Sequence, residues 1–229
     1  MRFARALALT AVAVFVAACQ SKEEAKPKPE AAAPAAQAPA PAPVSDKILI
    51  GHVGSMTGSE ATFGDSTDKA IKLAVDEQNK KGGVKGKQIE VKTLDDGGKP
   101  EEAAVAATRL ITQDKVNILL GEVASSRSLA MAPIADSNQV PMISPTSTNP
   151  RVTKDGAKTR PYVFRVCFID PFQGTVMAKF ARETKKITKV AILRDVGSDY
   201  SVGLADYFAK KFQELDGKII ADESFKSGE

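Results

Sequence analysis

From Lys47 onward, short apolar runs alternate with longer segments in which apolar residues recur every three or four positions. The short runs predict β-strands, and the longer segments predict amphipathic helices. Because this strand-helix order repeats, the sequence predicts an α/β fold with a doubly wound parallel sheet and right-handed crossovers. The nearly continuous apolar run Val116–Leu120 is typical of a parallel strand buried on both faces.

The pattern places six strands and five helices. The predicted strands are Ile48–Ile50, Gln88–Leu94, Val116–Leu120, Val140–Ile143, Lys189–Leu193 and Lys218–Phe225. The first helix ends at Gly82-Gly83, the second begins near Pro100, and the third lies near 126–137 with an expected kink at Pro133. The last two helices carry the apolar stripes Val176, Phe180, Ala181 and Leu204, Phe208, Phe212, Leu215.

The N-terminus has the features of an export signal. Arg2 and Arg5 precede the apolar run Ala6–Ala18, and this run is shorter than the roughly 20 residues that cross a bilayer as a helix. Cys19 directly follows small residues, as in the lipobox of bacterial lipoproteins. We therefore predict a signal peptide at 1–18, lipidation of Cys19 and a membrane anchor made by the attached acyl chains.

Residues 19–45 are rich in proline and alanine and cannot form a core, so we interpret them as a tether. Residues 46–165 are predicted to form a first lobe, and 166–229 part of a second lobe that begins after the extended stretch Tyr162–Phe168. Two strands and two helices bury little apolar surface. We expect a chain truncated in its second lobe, which binds its ligand weakly or not at all.

Composition excludes several classes of function. The 229 residues carry a net charge of +4 without a basic run interleaved with aromatic residues, which argues against nucleic acid as a partner. One histidine, His52, and two cysteines are too few for a metal cluster or a disulfide framework. We expect no metal and no cofactor, and we expect Cys167 to be a buried structural thiol.

Two segments at predicted strand ends combine hydroxyls with free backbone amides. Gly121–Ser126 leaves a buried strand and enters a helix, which makes an anion site that includes Ser125 and Ser126. The segment Ile143–Pro150 brings four more hydroxyls at the end of the next strand. Together they could hold one carboxylate. The alternative is that the serines cap their helix and that the Ser/Thr loop is solvated.

In this order along the chain, several stretches resemble the leucine/isoleucine/valine-binding protein family, the two-lobed type I periplasmic binding proteins of ABC transporters. The matching stretches are Ile50-Gly51, Met56-Thr57-Gly58, Phe63-Gly64, Asn79–Gly86, Asp95-Asp96, Leu120-Gly121 with Ser125-Ser126, Ile143-Ser144-Pro145 with Thr148-Asn149-Pro150, and Asp195–Tyr200 with Gly203.

The resemblance implies an exported, periplasmic binding protein that is no enzyme, with an amino acid as ligand and the permease subunits of an ABC importer as partners. It implies that Ser125 and Thr148 grip the α-carboxylate of the ligand and that the Thr146 carbonyl accepts from the α-ammonium. Phe63 and Tyr200 would form pocket walls, Tyr200 only when the lobes close. The family's acidic partner for the ammonium lies beyond Glu229, so the identity of the ligand stays open, with amides, urea and other small carboxylates as alternatives.

Two other functions compete with the interpretation as a binding protein. A nucleotide-binding enzyme is disfavoured because Gly51, Gly54 and Gly58 lack the G-x-G-x-x-G spacing, although Asp95-Asp96 lies where a ribose-binding acid would. A sensory module of the same fold, which presents its ligand to a signalling partner, stays open because fold does not decide function.

Overall fold

A computed structural model describes residues 46–227. The predicted signal peptide, Cys19 and the tether up to residue 45 lie outside the described residues. Within these residues no helix is long and apolar enough to cross a membrane. In the same part of the chain, no group of three or more histidine, cysteine or acidic side chains is placed to hold a metal ion.

The strands form a parallel sheet of five, a short hairpin and a parallel pair. The large sheet has the order β2-β1-β3-β4-β7, and each neighbouring pair in it is parallel. Its strands are β1 Lys47–Gly54, β2 Gln88–Asp95, β3 Ile118–Leu120, β4 Met142–Ser144 and β7 Val163–Arg165. The antiparallel hairpin consists of β5 Lys154–Asp155 and β6 Lys158–Thr159, and the separate parallel pair of β8 Lys189–Asp195 and β9 Lys218–Phe225.

Five α-helices connect the strands. They are α1 Ala61–Lys80, α2 Pro100–Thr112, α3 Ser125–Ser137, α4 Asp170–Lys179 and α5 Asp199–Glu214. A 3-10 turn at Pro150–Val152 begins at the last residue of the Ser/Thr loop Ile143–Pro150, and a π-helical turn at Phe180–Thr184 extends α4. The α/β organisation with parallel strands, predicted from periodicity, is therefore confirmed.

Alternation along β1 assigns the helices to the two faces of the large sheet. Val53 belongs to the buried core that includes α2 and α3, whereas Ile50 faces α1 across an apolar groove of about 440 Å³. Gly51 faces the core, where an added Cβ would be 2.9 Å from Leu119 Cδ2. A side chain at this position would push α2 away from the sheet, so glycine permits the close packing.

Some boundaries differ from the predictions. β3 begins at Ile118 rather than Val116, because Lys115 adopts φ 55° and turns the chain before the strand. Helix α3 continues through Pro133 to Ser137. β4, predicted at Val140–Ile143, begins two residues later and ends one residue later, at Met142–Ser144. The division into lobes at residues 165 and 166 stays a prediction.

Candidate ligand-binding edge

The candidate site lies beyond the carboxyl ends of the parallel strands. The register pairs Gly54 with Asp95 at the ends of β1 and β2, and Leu120 with Ile143 at the ends of β3 and β4. The segments after these strands therefore leave the sheet at one edge, where doubly wound folds bind their ligands. This edge carries the two segments that the sequence analysis singled out.

The backbone carbonyl of Glu122 ties the two segments together. It accepts hydrogen bonds from Ser144 Oγ at 2.7 Å, Ser128 Oγ at 2.9 Å and Ser147 Oγ at 3.0 Å. Thr146 Oγ1 connects the same two segments by donating to the Val123 carbonyl at 2.7 Å. Most hydroxyls of the Ser/Thr loop are therefore used to fix the loop to the end of β3, so they are not all available to a ligand.

The Glu122 side chain holds the start of α3 through hydrogen bonds. Oε2 accepts from Ala124 N at 2.6 Å and from Arg127 Nε at 2.8 Å, and Oε1 accepts from Ser55 N at 3.3 Å. Arg127 also pairs with Glu60. Both Glu122 and Arg127 are buried. The pair was missed in the sequence, although an acid just after an apolar strand, with an arginine in the first turn of the next helix, is the pattern that signals it.

The charges of this pair depend on each other. Burial raises the pKa of Glu122, and the Arg127 guanidinium and the Ala124 N–H offset only part of that increase. Burial by itself lowers the pKa of Arg127, but Glu122 and Glu60 keep this pKa above its ordinary value. Arg127 is therefore a fixed cation, and the entry of the chain into α3 is held by a buried charged hydrogen bond.

The two serines at the start of α3 do not cap the helix. Ala124 is the N-cap residue and has no side-chain capping bond. Ser125 Oγ accepts from Asn149 N at 3.2 Å, so its hydroxyl hydrogen remains free to donate elsewhere. Ser128 N is the first amide to close onto the helix, at 3.0 Å from Ala124 O, and the three amides before it therefore lack intrahelical acceptors.

Thr148 lies next to Ser125 through the backbone of Asn149. Thr148 is only 7% exposed, and its Oγ1 has no hydrogen-bond partner among the described residues. Thr146 is exposed. Of the three residues predicted to hold the polar ends of a ligand, Ser125 and Thr148 thus lie together, and each keeps hydrogen-bonding capacity.

Ser126 and Asn149 connect this edge to α5. Ser126 Oγ accepts from Asp199 N at 2.9 Å, and Asn149 Nδ2 donates to the Asp199 carbonyl at 2.8 Å. Tyr200 follows directly, is 38% exposed, and its hydroxyl accepts from Gln173 Nε2 at 3.3 Å. The hydrogen bonds at Asp199 therefore hold the Tyr200 backbone next to the predicted site.

Neither Phe63 nor Cys167 is fully buried. Phe63 is 63% exposed in the first turn of α1. Cys167 is only partly buried, so the expectation of a buried thiol is wrong. Burial nevertheless raises the pKa of the Cys167 thiol, against the effect of nearby Arg165.

Arg165 is a second residue that the sequence analysis missed. Nη1 donates to the Ser147 and Asn149 carbonyls at 2.7 and 2.9 Å. Nη2 donates to the Pro150 carbonyl at 3.3 Å and to Thr153 Oγ1 at 2.9 Å. A single side chain on β7 thereby holds the carbonyls of Ser147, Asn149 and Pro150 in the Ser/Thr loop. No local pattern signals this contact, because it depends on the pairing of β7 with β4.

Comparison with known proteins places this geometry in a family. The profile of a family described as periplasmic binding protein matches residues 47–229. The Leu/Ile/Val-binding protein homolog 3 of Brucella melitensis is 36% identical over 161 residues, which are 70% of this chain and 42% of the relative. The chain thus spans less than half the length of this curated relative.

Solved structures give the same result. The leucine binding protein LivK of Thermotoga maritima superimposes with a TM-score of 0.73 at 44% identity, over 80% of this chain and 50% of that one. The branched-chain amino acid transporter substrate binding protein LivJ of Streptococcus pneumoniae, in complex with isoleucine, gives 0.72 at 38% identity, over 80% and 51%. These matches confirm the predicted type I periplasmic binding fold. The chain belongs to the periplasmic binding protein family, in the group of the Leu/Ile/Val-binding proteins.

Proposed function

We propose that this chain carries the carboxylate-binding half of a solute-binding protein that takes an amino acid, of the branched-chain type or similar. The single observation that carries this proposal is the adjacency of Ser125 and Thr148. Ser125 Oγ keeps a free hydrogen, and Thr148 Oγ1 is buried without a partner within the described residues. Relatives named as leucine or Leu/Ile/Val-binding proteins support the class of ligand.

The physical argument starts from the helix. The first-turn amides of α3 point out of its N-terminus, where the helix dipole favours a negative charge. Two hydroxyls beside these amides complete a set of neutral donors. Such a set suits a carboxylate, and it leaves the ligand ammonium to a carbonyl or to an acid elsewhere. Burial behind the Ser/Thr loop strengthens each hydrogen bond, because little water competes for it.

Tyr200 is proposed to close the site from α5. Its backbone follows Asp199, which Ser126 and Asn149 hold against the edge of the large sheet. Phe63 is proposed as a wall on the side of α1, where its exposed ring is available for contact with a ligand. The Thr146 carbonyl is proposed as an acceptor for the ligand ammonium.

The binding test is calorimetry with the twenty amino acids, urea, short amides and nucleotides. Because the chain spans less than half of its curated relative, we would measure the chain and a chimera that adds the remaining part of the Brucella melitensis homolog. We expect tight binding of an amino acid by the chimera and weak binding by the chain. Binding of a nucleotide, with no amino acid bound, would contradict this proposal and favour a nucleotide-binding enzyme.

Point variants of the chimera locate the carboxylate. Ser125→Ala and Thr148→Ala should each weaken amino acid binding by about 1.5 to 3 kcal/mol, roughly 10- to 150-fold, because each removes a hydrogen bond to a charged group. The control is Ser137→Ala at the other end of α3, whose hydroxyl donates to Ile134 O. Equal affinity in all three variants would show that the ligand carboxylate does not bind at this edge.

We also propose that the protein is an exported lipoprotein, anchored in the periplasm through Cys19, and that it delivers its ligand to the permease of an ABC importer. Radiolabelled palmitate should label the wild type and not Cys19→Ser. Equal label in both would overturn lipidation without touching the binding proposal. Sensing instead of transport would be indicated if deletion of neighbouring permease genes left the response to the amino acid intact.

A further inference from the structure

Asp170 is a fully buried acid that the proposed binding chemistry does not use. It begins α4, it has no exposed surface, and neither carboxylate oxygen has a hydrogen-bond partner among residues 46–227. Its backbone N–H donates to the Thr148 carbonyl at 3.0 Å, which joins the residue to the predicted ligand loop. Thr148 Oγ1 also lacks a partner in the described part of the chain.

The surroundings of Asp170 offer few donors. On α5, Gly203 packs so closely that an added Cβ would be 3.4 Å from Asp170 Oδ2 and 3.0 Å from Asn149 Nδ2. Asn149 Nδ2 donates to the Asp199 carbonyl, and Asp199 itself pairs with Arg151. On β7, Arg165 uses the hydrogens of both terminal nitrogens on the Ser/Thr loop.

These neighbours decide which charge state fits the position. Burial raises the pKa of Asp170, and the nearby Thr148 hydroxyl and the positive charge of Arg165 offset only part of that rise, although Thr148 Oγ1 and the carboxylate do not meet hydrogen-bond geometry. The Cys167 thiol is the other titratable group that interacts with Asp170. A carboxylate that is buried without donors is costly, whereas a neutral acid needs one acceptor only. Thr148 Oγ1 is the adjacent oxygen that can take this role.

We propose that Asp170 is a positioning residue that sets the direction of the Thr148 hydroxyl and thereby the ligand group that this hydroxyl recognises. Neutral Asp170 donates its proton to a hydrogen bond with Thr148 Oγ1, and Thr148 then donates its own hydrogen to the ligand carboxylate. Ionised Asp170 accepts from Thr148 instead and leaves only lone pairs for the ligand. Ionisation releases the Asp170 proton to solvent and reverses the direction of the hydrogen bond between Asp170 and Thr148, and no proton moves to Thr148 or to the ligand.

This inference rests on the proposed function and makes it more specific. With Asp170 neutral, Thr148 selects ligands that carry a carboxylate. With Asp170 ionised, the same oxygen favours a donor such as an ammonium or an amide. The acid behind the site would therefore determine whether the edge of the sheet prefers an amino acid or an amide at this point.

The test is the affinity of the chimera for leucine between pH 4 and pH 9, in its unmutated form, called wild type here, and with Asp170→Asn. Wild-type affinity should fall by up to tenfold per pH unit above the pKa of Asp170, since binding then requires uptake of a proton. Asp170→Asn keeps a donor toward Thr148 and should bind within about threefold of the wild-type maximum, with a flat profile. The control Asp76→Asn, an exposed acid paired with Lys80, should follow the wild type.

A flat wild-type profile, or a profile of Asp170→Asn that follows the wild type, would overturn the inference. Infrared spectroscopy tests the charge state without ligand. The difference spectrum of wild type minus Asp170→Asn should contain a carboxylic acid carbonyl band at neutral pH, and its absence would also overturn the inference. If the unmutated chimera binds no amino acid, the proposed function fails, while the infrared band still decides whether Asp170 holds its proton.

Discussion

The large sheet with α1, α2 and α3 and the smaller unit of β8, β9, α4 and α5 both alternate parallel strands with helices, but they bury very different numbers of apolar side chains. In the first, fourteen buried apolar residues form one continuous core. In the described residues after 165, the buried apolar residues are Ala178 and Phe212. Phe212 stacks on Phe208 with ring centroids 5.5 Å apart.

The strands show the contrast most clearly. Leu119 in β3 is fully buried, whereas Leu193 in β8 is 70% exposed and Ile220 in β9 is 59% exposed. Parallel strands are normally covered on both faces, whereas these two apolar side chains of the β8-β9 pair are not covered by any of the described residues. The residues of the candidate carboxylate site are therefore attached to the part of the molecule with the larger core, while Tyr200 belongs to the part with little core.

The largest effect should come from the buried charges under the site. Arg127→Met leaves the Glu122 carboxylate buried without its cation and should lower the free energy of unfolding by about 3 to 5 kcal/mol. The control Lys69→Met removes an exposed pair with Asp65 and should cost less than about 0.5 kcal/mol. Urea denaturation measures both. Equal losses in the two variants would contradict the role of the buried pair.

A pair of leucines tests the contrast of the two cores directly. Leu119→Ala should cost about 2 to 5 kcal/mol, because it opens a cavity in packed surroundings. Leu193→Ala removes the same atoms from an exposed face and should stay within about 0.5 kcal/mol of the wild type. Thermal and urea denaturation would show the difference, and a large loss in Leu193→Ala would mean that its face is covered in solution.

The hydrogen bond from Asp199 N to Ser126 Oγ links the two regions. Ser126→Ala should cost about 0.5 to 1.5 kcal/mol of folding free energy, a typical net value for one hydrogen bond. Its effect on leucine affinity tells whether Ser126 also contacts the ligand, as predicted from the sequence. A loss of affinity larger than the loss of stability would favour direct contact, and unchanged stability would contradict the link to α5.

The smallest effect concerns pH. Burial lowers the pKa of His52 below its ordinary value of 6.5, although Asp68 acts in the opposite direction. The unfolded chain therefore binds a proton more readily, and the stability contributed by neutral His52 is complete above pH 6.5 and falls as the pH drops toward the folded pKa. The slope should reach at most about 1.4 kcal/mol per pH unit.

His52→Asn should flatten this slope between pH 6.5 and pH 5. His52 is the chain's one histidine, and Asp68, whose pKa is lowered despite its burial by hydrogen bonds and by Lys72, titrates below 3.8 and outside that window. Urea denaturation at several pH values gives the slopes. Parallel slopes in wild type and variant would assign the pH dependence to other groups.

The fold could be predicted from the sequence because its signals are local. Apolar runs and three- and four-residue periods placed every long strand and helix, and Pro100 marked the start of α2. The site could be predicted only in part. Ser125 and Thr148 follow strands whose ends must meet, but Glu122, Arg165 and Asp170 act through partners from 5 to 67 positions away in sequence, and these contacts depend on tertiary packing.

The central claim is that the ligand carboxylate binds at the edge of the large sheet. The most direct measurement is the set of backbone amide chemical-shift changes in isotope-labelled protein on addition of leucine. We predict that the largest changes occur at Ser125, Ser126 and Thr148, and that the amides of β8 and β9 change little. Changes concentrated in β8, β9 or α4, with Ser125 and Thr148 unaffected, would contradict it.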